Sequence, residues 1–89
     1  MELKDTVDLM LSDDYKDRFG AEYHQLRIRY NKLATIVQKY EDGTLGFEPD
    51  CSIEILRDQL NAMSGYLIIL LTRAMAEGID CQEGIDEDV

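Results

Sequence analysis

Tryptophan is absent from this chain, proline and histidine occur once each, as Pro49 and His24, and cysteine twice, as Cys51 and Cys81. Two thiols do not make a disulfide scaffold, and with no secretory leader expected they fit a reducing cytoplasm. Structural zinc takes four Cys or His ligands at close spacing, and three scattered candidates do not supply them. His24 stands between Tyr23 and Gln25 on an expected helix with nothing resembling a nucleophile elbow beside it, so it is read as a surface helix residue. Cys51 is read as a small residue at a helix entrance. Gly43-Thr44-Leu45-Gly46 lacks the lysine of a phosphate-binding loop. No nucleophile–base pair or metal set can be assembled, so neither catalysis nor a cofactor is expected. Long apolar runs are missing too. The longest, Tyr66 to Leu71, is far below the roughly 20 residues of a membrane span, and no basic and apolar opening marks a signal peptide. Bases are scarce, 9 against 19 acids for a net charge of -10, which argues against a general nucleic-acid binder.

What remains, in 89 residues of which 45% are hydrophobic, is enough for one small domain. Its pattern is all-α. Residues 2 to 11 predict a short helix with Leu3, Val7, Met10 and Leu11 on one face. Ser12-Asp13-Asp14 then offers an N-cap with acids in the following turn. From about Tyr15 to Tyr40, apolar residues fall at Phe19, Tyr23, Leu26, Tyr30, Leu33, Val37 and Tyr40. Their steps alternate between four and three, which defines a long helix with a heptad seam. Asp42-Gly43 and Pro49 break it. A second long helix opens at Asp50 or Ser52, carries Ile53, Leu56, Leu60, Met63, Leu67, Leu70 and Ala74 at the same spacing, and ends at Gly78. Two such helices joined by about ten residues fold back as an antiparallel hairpin. Residues 1–78 form the expected hairpin domain, with the short N-terminal helix across its open side. Residues 79–89, with five acids and no base, are expected to be a frayed acidic tail.

The second long helix carries more apolar surface than a hairpin uses, at Ile55, Ala62, Tyr66, Ile69 and Met75, and the first adds Ala21, Ile28 and Ile36. Either the short helix and the loop residues Leu45 and Phe47 cover it, or it is an interface. The expectation is a homo-oligomer, a dimer or a ring of dimers, since small chains are marginal alone and each buried Ile or Leu contributes roughly 1.5–3 kcal/mol.

Charge is also unevenly spread. Between Tyr15 and Tyr40 there are six bases, Lys16, Arg18, Arg27, Arg29, Lys32 and Lys39, against Asp17 and Glu22, with no acid from there until Glu41. A basic helix interleaved with tyrosines suits a phosphate-bearing ligand with a base to stack. The same cations could equally pair with acids on the other helix, the loop or the tail, in exposed contacts that contribute little.

The residues Arg18-Phe19-x-x-Glu22-Tyr23-x-x-Leu26 and Leu33, then Leu56-Arg57-x-Gln59-Leu60-x-Ala62-Met63-x-x-Tyr66-x-x-Ile69-Leu70-x-x-Arg73, complete the pattern. Over about residues 15 to 75 the chain resembles small phage and prophage proteins of a crAss-like phage family. The segment from Gln59 to Tyr66 is the most specific part. That family is in turn similar to the helical hairpins of phage anti-CBASS and anti-Thoeris sponges, oligomers that sequester cyclic nucleotide or cyclic ADP-ribose immune signals. The resemblance implies a non-enzymatic protein of the host bacterial cytoplasm that captures a cyclic nucleotide messenger and touches neither membrane nor nucleic acid. It points to Arg18, Phe19, Tyr23, Arg57 and Arg73 as ligand-binding residues. An alternative from charge alone is an acidic inhibitor or adaptor. Such a protein would mimic nucleic acid, as anti-CRISPR proteins do, through Asp80, Glu83 and Asp86 to Asp88.

Overall fold

The computed structural model of the protein describes residues 1–81 and is helical throughout its regular structure. A 3-10 turn, Leu3–Thr6, runs into the single-turn helix α1, Val7–Met10; the long helices are α2, Tyr15–Asp42, and α3, Ile53–Glu77. Together they make a rod of 43 × 25 × 24 Å. The all-α hairpin with a short N-terminal helix is the observed fold.

Each long helix begins and ends for a local reason. The Asp14 carboxylate accepts from the Lys16 amide at 2.9 Å and caps α2, while Ser52 Oγ accepts from the Ile55 amide at 3.3 Å and caps α3. Both helices stop at a glycine in the left-handed region, Gly43 at φ 74 and Gly78 at φ 70, where a side chain would strain the backbone. The α2 seam packs against the α3 seam. Phe19, Tyr23, Leu67, Leu70 and Ala74 form the dry centre, with Leu26, Tyr30 and Leu71 against it. This centre lies where the start of α2 meets the end of α3.

Two parts of the chain depart from expectation. The N-terminal helix packs on α2 alone rather than across the open side of the pair. Its expected apolar face is mostly outside, with Val7, Met10 and Leu11 exposed. The opening turn is 3-10, with three residues per turn, which aligns Leu3, Thr6 and Leu9 instead. Thr6 is fully buried and satisfied, donating to the Leu3 carbonyl at 2.7 Å and accepting from Gln25 Nε2 at 2.8 Å. The start of the expected acidic tail is not frayed. Ile79 donates its amide to the Ala74 carbonyl at 2.8 Å and packs against the core, and Cys81 is inside it. Glu83 and Asp86 to Asp88, the rest of that tail's acids, lie outside the described residues.

Candidate functional site

Four of the five residues singled out by resemblance gather at the closed end of the rod, away from the connecting loop. Phe19 is 3% exposed and Tyr23 0%, so both rings belong to the core. The Tyr23 hydroxyl accepts from Arg27 Nη1 at 2.9 Å. The Arg18 guanidinium is at the surface and donates to the Ser12 carbonyl at 2.7 Å, tying α2 to the turn before it. Arg73 reaches from α3 over the Phe19 ring, its guanidinium carbon 4.9 Å from the ring centroid, a cation–π contact. Its Nε donates to Glu77 at 3.2 Å and its Nη2 to the Tyr15 hydroxyl at 3.0 Å, while Tyr15 donates to the other Glu77 oxygen at 2.7 Å.

The fifth residue, Arg57, is elsewhere. It sits near the start of α3, about 24 Å from Arg73 along the helix at ~1.5 Å per residue. It pairs with Glu41 at 2.7 Å, bracing the loop end of the hairpin.

The Tyr15–Arg73–Glu77 cluster sets its own protonation. The Tyr15 hydroxyl, with Arg73 beside it, holds the Glu77 carboxyl below its ordinary 4.5. Reciprocally, Glu77 raises the pKa of Tyr15 and keeps Arg73 charged. Tyr66, on α3, donates to the Glu22 carboxylate on α2, and that acceptor likewise holds the phenol proton on.

A different group of cations is left available. Arg29, Lys32 and Lys39 are exposed, and their side chains make no hydrogen bond or ion pair among the described residues. Their spacing places them on the side of α2 turned away from the seam, around Ile36 and beyond the stretch covered by α1. The acid-free run from Glu22 to Glu41 was the signal for them. Resemblance instead drew attention to Arg57 and Arg73, whose acidic partners are 16 and four residues away in sequence. No pocket forms within one copy, and no group of metal-ligating side chains occurs, among the described residues. No helix described is long and apolar enough to cross a membrane.

Fold and surface together define a small helical-hairpin protein with a basic ridge on an acidic body. The family model of Sequestin matches residues 13–76, which is most of the chain and both long helices. The protein belongs to the Sequestin family, whose name denotes a sequestering role. No curated protein and no solved structure matches it.

Proposed function

We propose that this protein is a phage-encoded sponge that sequesters a cyclic nucleotide-type immune signal in an oligomeric helical assembly within the bacterial cytoplasm. The observation that carries the reading is the ridge of Arg29, Lys32 and Lys39, unpaired among the described residues, on a chain of net charge -10 that belongs to a sequestering family. Cations without acidic partners among the described residues of so acidic a protein are available to phosphate. Binding rather than turnover is the role, and holding a ligand without converting it needs rigidity more than reactive groups. In this reading Arg18 and Arg73 offer further charge at the closed end. Phe19 and Tyr23 act from inside, by fixing where those arginines stand. Arg57 serves the ligand only if a neighbouring copy brings its end of the rod to the site.

The test is thermal melting and calorimetry against a panel of cyclic dinucleotides, cyclic trinucleotides and cyclic ADP-ribose isomers. A captured signal at a hundred times its Kd stabilises the folded state by about 2.7 kcal/mol. The double variant R29E/K32E, altered only at exposed positions, is expected to keep its fold and lose that shift. A panel with no shift for the wild type, or an unchanged shift for the variant, defeats the assignment.

A further inference from the structure

The chain has five tyrosines and two phenylalanines, and packing gives them different fates. Phe19 and Tyr23 are inside the core, and Tyr30 is packed against it. Tyr15 is tied to Glu77 and Arg73, and Tyr66 to Glu22. Phe47 is exposed in the loop, but residues 41–52 contain no base and Glu48 follows it directly. Tyr40 is left. It is 39% exposed, its hydroxyl makes no hydrogen bond among the described residues, and it stands at the end of the basic ridge. Ile36, half-buried, lies one helical turn before it, with Lys32 a turn earlier still and Lys39 three residues after Ile36 on the same side. The last turn of α2 is fixed from behind by the loop. The Tyr40 carbonyl accepts from the Gly43 amide at 3.1 Å, and the Lys39 carbonyl from the Thr44 amide at 2.9 Å. Both acids that follow are engaged, Glu41 with Arg57 and Asp42 with Gln38.

We infer that Tyr40 is the stacking platform of the ridge: the ligand is a nucleotide whose base lies on the Tyr40 ring and Ile36 while Lys32 and Arg29 hold its phosphate. The inference deepens the ligand part of the function proposed above and rests on that part only. Cations alone serve phosphate, whereas an aromatic ring and an aliphatic side chain set among them serve a planar apolar face. The helix fixes which way round the ligand lies. The carbonyl end of α2 carries partial negative charge, which Lys39 in its last turn offsets. Phosphate therefore goes to the earlier cations and the uncharged base to Tyr40. The reach agrees with this orientation. Lys32 precedes Tyr40 by ~12 Å along the axis, and helical side chains lean toward the turn before them, which carries the Tyr40 ring back over Ile36. Arg57 is then a positioning residue that never touches the ligand, since its ion pair neutralises Glu41, the carboxylate adjoining Tyr40. A ring already held on a fixed turn loses little freedom when a base lies on it.

The test is an NMR titration of the full chain with two probes, the linear dinucleotide pApA and inorganic pyrophosphate, which carry phosphate with and without bases. In the wild type pApA is expected to shift the Tyr40 ring protons upfield and to bind about fivefold or more tighter than pyrophosphate, the least that one stacked base contributes. Tyr40→Leu, at an exposed position, is expected to keep its helical content by circular dichroism. It should lose the advantage of pApA and leave pyrophosphate affinity unchanged, while Tyr40→Phe, which keeps a ring, retains the advantage. R29E/K32E is expected to lose both probes. Pyrophosphate bound as tightly as pApA, an unmoved Tyr40 ring, or a Tyr40→Leu chain that binds pApA like the wild type overturns the platform. So does an R29E/K32E chain that keeps either probe, or a wild type that binds neither at millimolar concentration. The messenger reading is judged separately. A chain that stacks pApA on Tyr40 but ignores every cyclic messenger would sink that reading alone, and a messenger held as tightly by Tyr40→Leu as by the wild type would sink the platform alone.

Discussion

Replacing Leu70 by alanine, beside a matching replacement of its neighbour Ile69, measures which side of α3 faces the core. Leu70 is 0% exposed and packed in the cluster with Phe19, Tyr23, Leu67 and Ala74, whereas Ile69 is 58% exposed on the far side. Truncating a fully enclosed leucine loses its transfer free energy and leaves a cavity, a cost of about 2–5 kcal/mol. A domain of this length holds about 4–13 kcal/mol in all. Leu70→Ala therefore removes a large share of the stability and is expected to lower Tm by about 8 °C or more, at roughly 4–8 °C per kcal/mol. Ile69→Ala removes surface that the dilute protomer already exposes, so its cost there is within about 0.5 kcal/mol. Urea denaturation followed by far-UV circular dichroism, run across a range of protein concentrations, gives both numbers. The Ile69 variant is expected to match the wild type at high dilution and to fall behind it as concentration rises and copies associate. Equal losses for the two variants at dilution would mean that α3 is rotated relative to α2 and that the seam is wrongly placed.

Other consequences follow from single contacts. Tyr15→Phe removes the main cause of the lowered Glu77 pKa, so in a carboxyl NMR titration Glu77 should move back toward 4.5. Because that folded-state value is depressed, the contact contributes stability that is fully present above the ordinary value and disappears as pH falls through the lower one. The acid limb of the wild type's stability profile is therefore expected to flatten in this variant, and an unmoved Glu77 would refute the linkage. Thr6→Val keeps the shape of a buried side chain but removes its hydroxyl bonds to the Leu3 carbonyl and the Gln25 amide, leaving Gln25 Nε2 with the weaker Met10 sulfur contact at 3.6 Å. It should cost about 1–3 kcal/mol in denaturant melts and loosen the N-terminal segment to hydrogen exchange. Ser52→Ala removes the cap of α3 and is expected to cost about 1 kcal/mol by the same melts.

The separation between paired and available cations bears on how such a protein could hold a ligand. Arg57 and Arg73 are each committed to a carboxylate of their own chain. Engaging phosphate through them would first mean giving up those contacts. Arg29, Lys32 and Lys39 face no such competition among the described residues. The proposed sponge therefore relies on the back of α2 for affinity, with Arg18, whose side chain bonds only the Ser12 carbonyl among the described residues, adding charge at the closed end, Arg73 doing so at the expense of its contact with Glu77, and Arg57 only where a neighbouring copy brings it there.

The hairpin was legible from spacing alone. Steps of three and four along both segments can be satisfied only by two helices sharing a seam, and Asp14, Gly43, Ser52 and Gly78 state their ends in local chemistry. The excess apolar stripe on α3 and the acid-free stretch of α2 were equally visible, because each belongs to one helix and follows from its period. What the linear order could not decide was which residues from different elements meet. The 3-10 turn rotated the N-terminal segment so that Thr6, not Val7, faces Gln25. Ile79 and Cys81 folded back onto the core although their neighbours are acidic. Phe19 and Tyr23 went inside, Arg57 found Glu41 across the loop, and Arg73 was shared among Phe19, Tyr15 and Glu77. Periodicity is set by each helix's own geometry and can be read residue by residue, whereas the fate of a charge or a ring depends on the neighbour that packing brings to it.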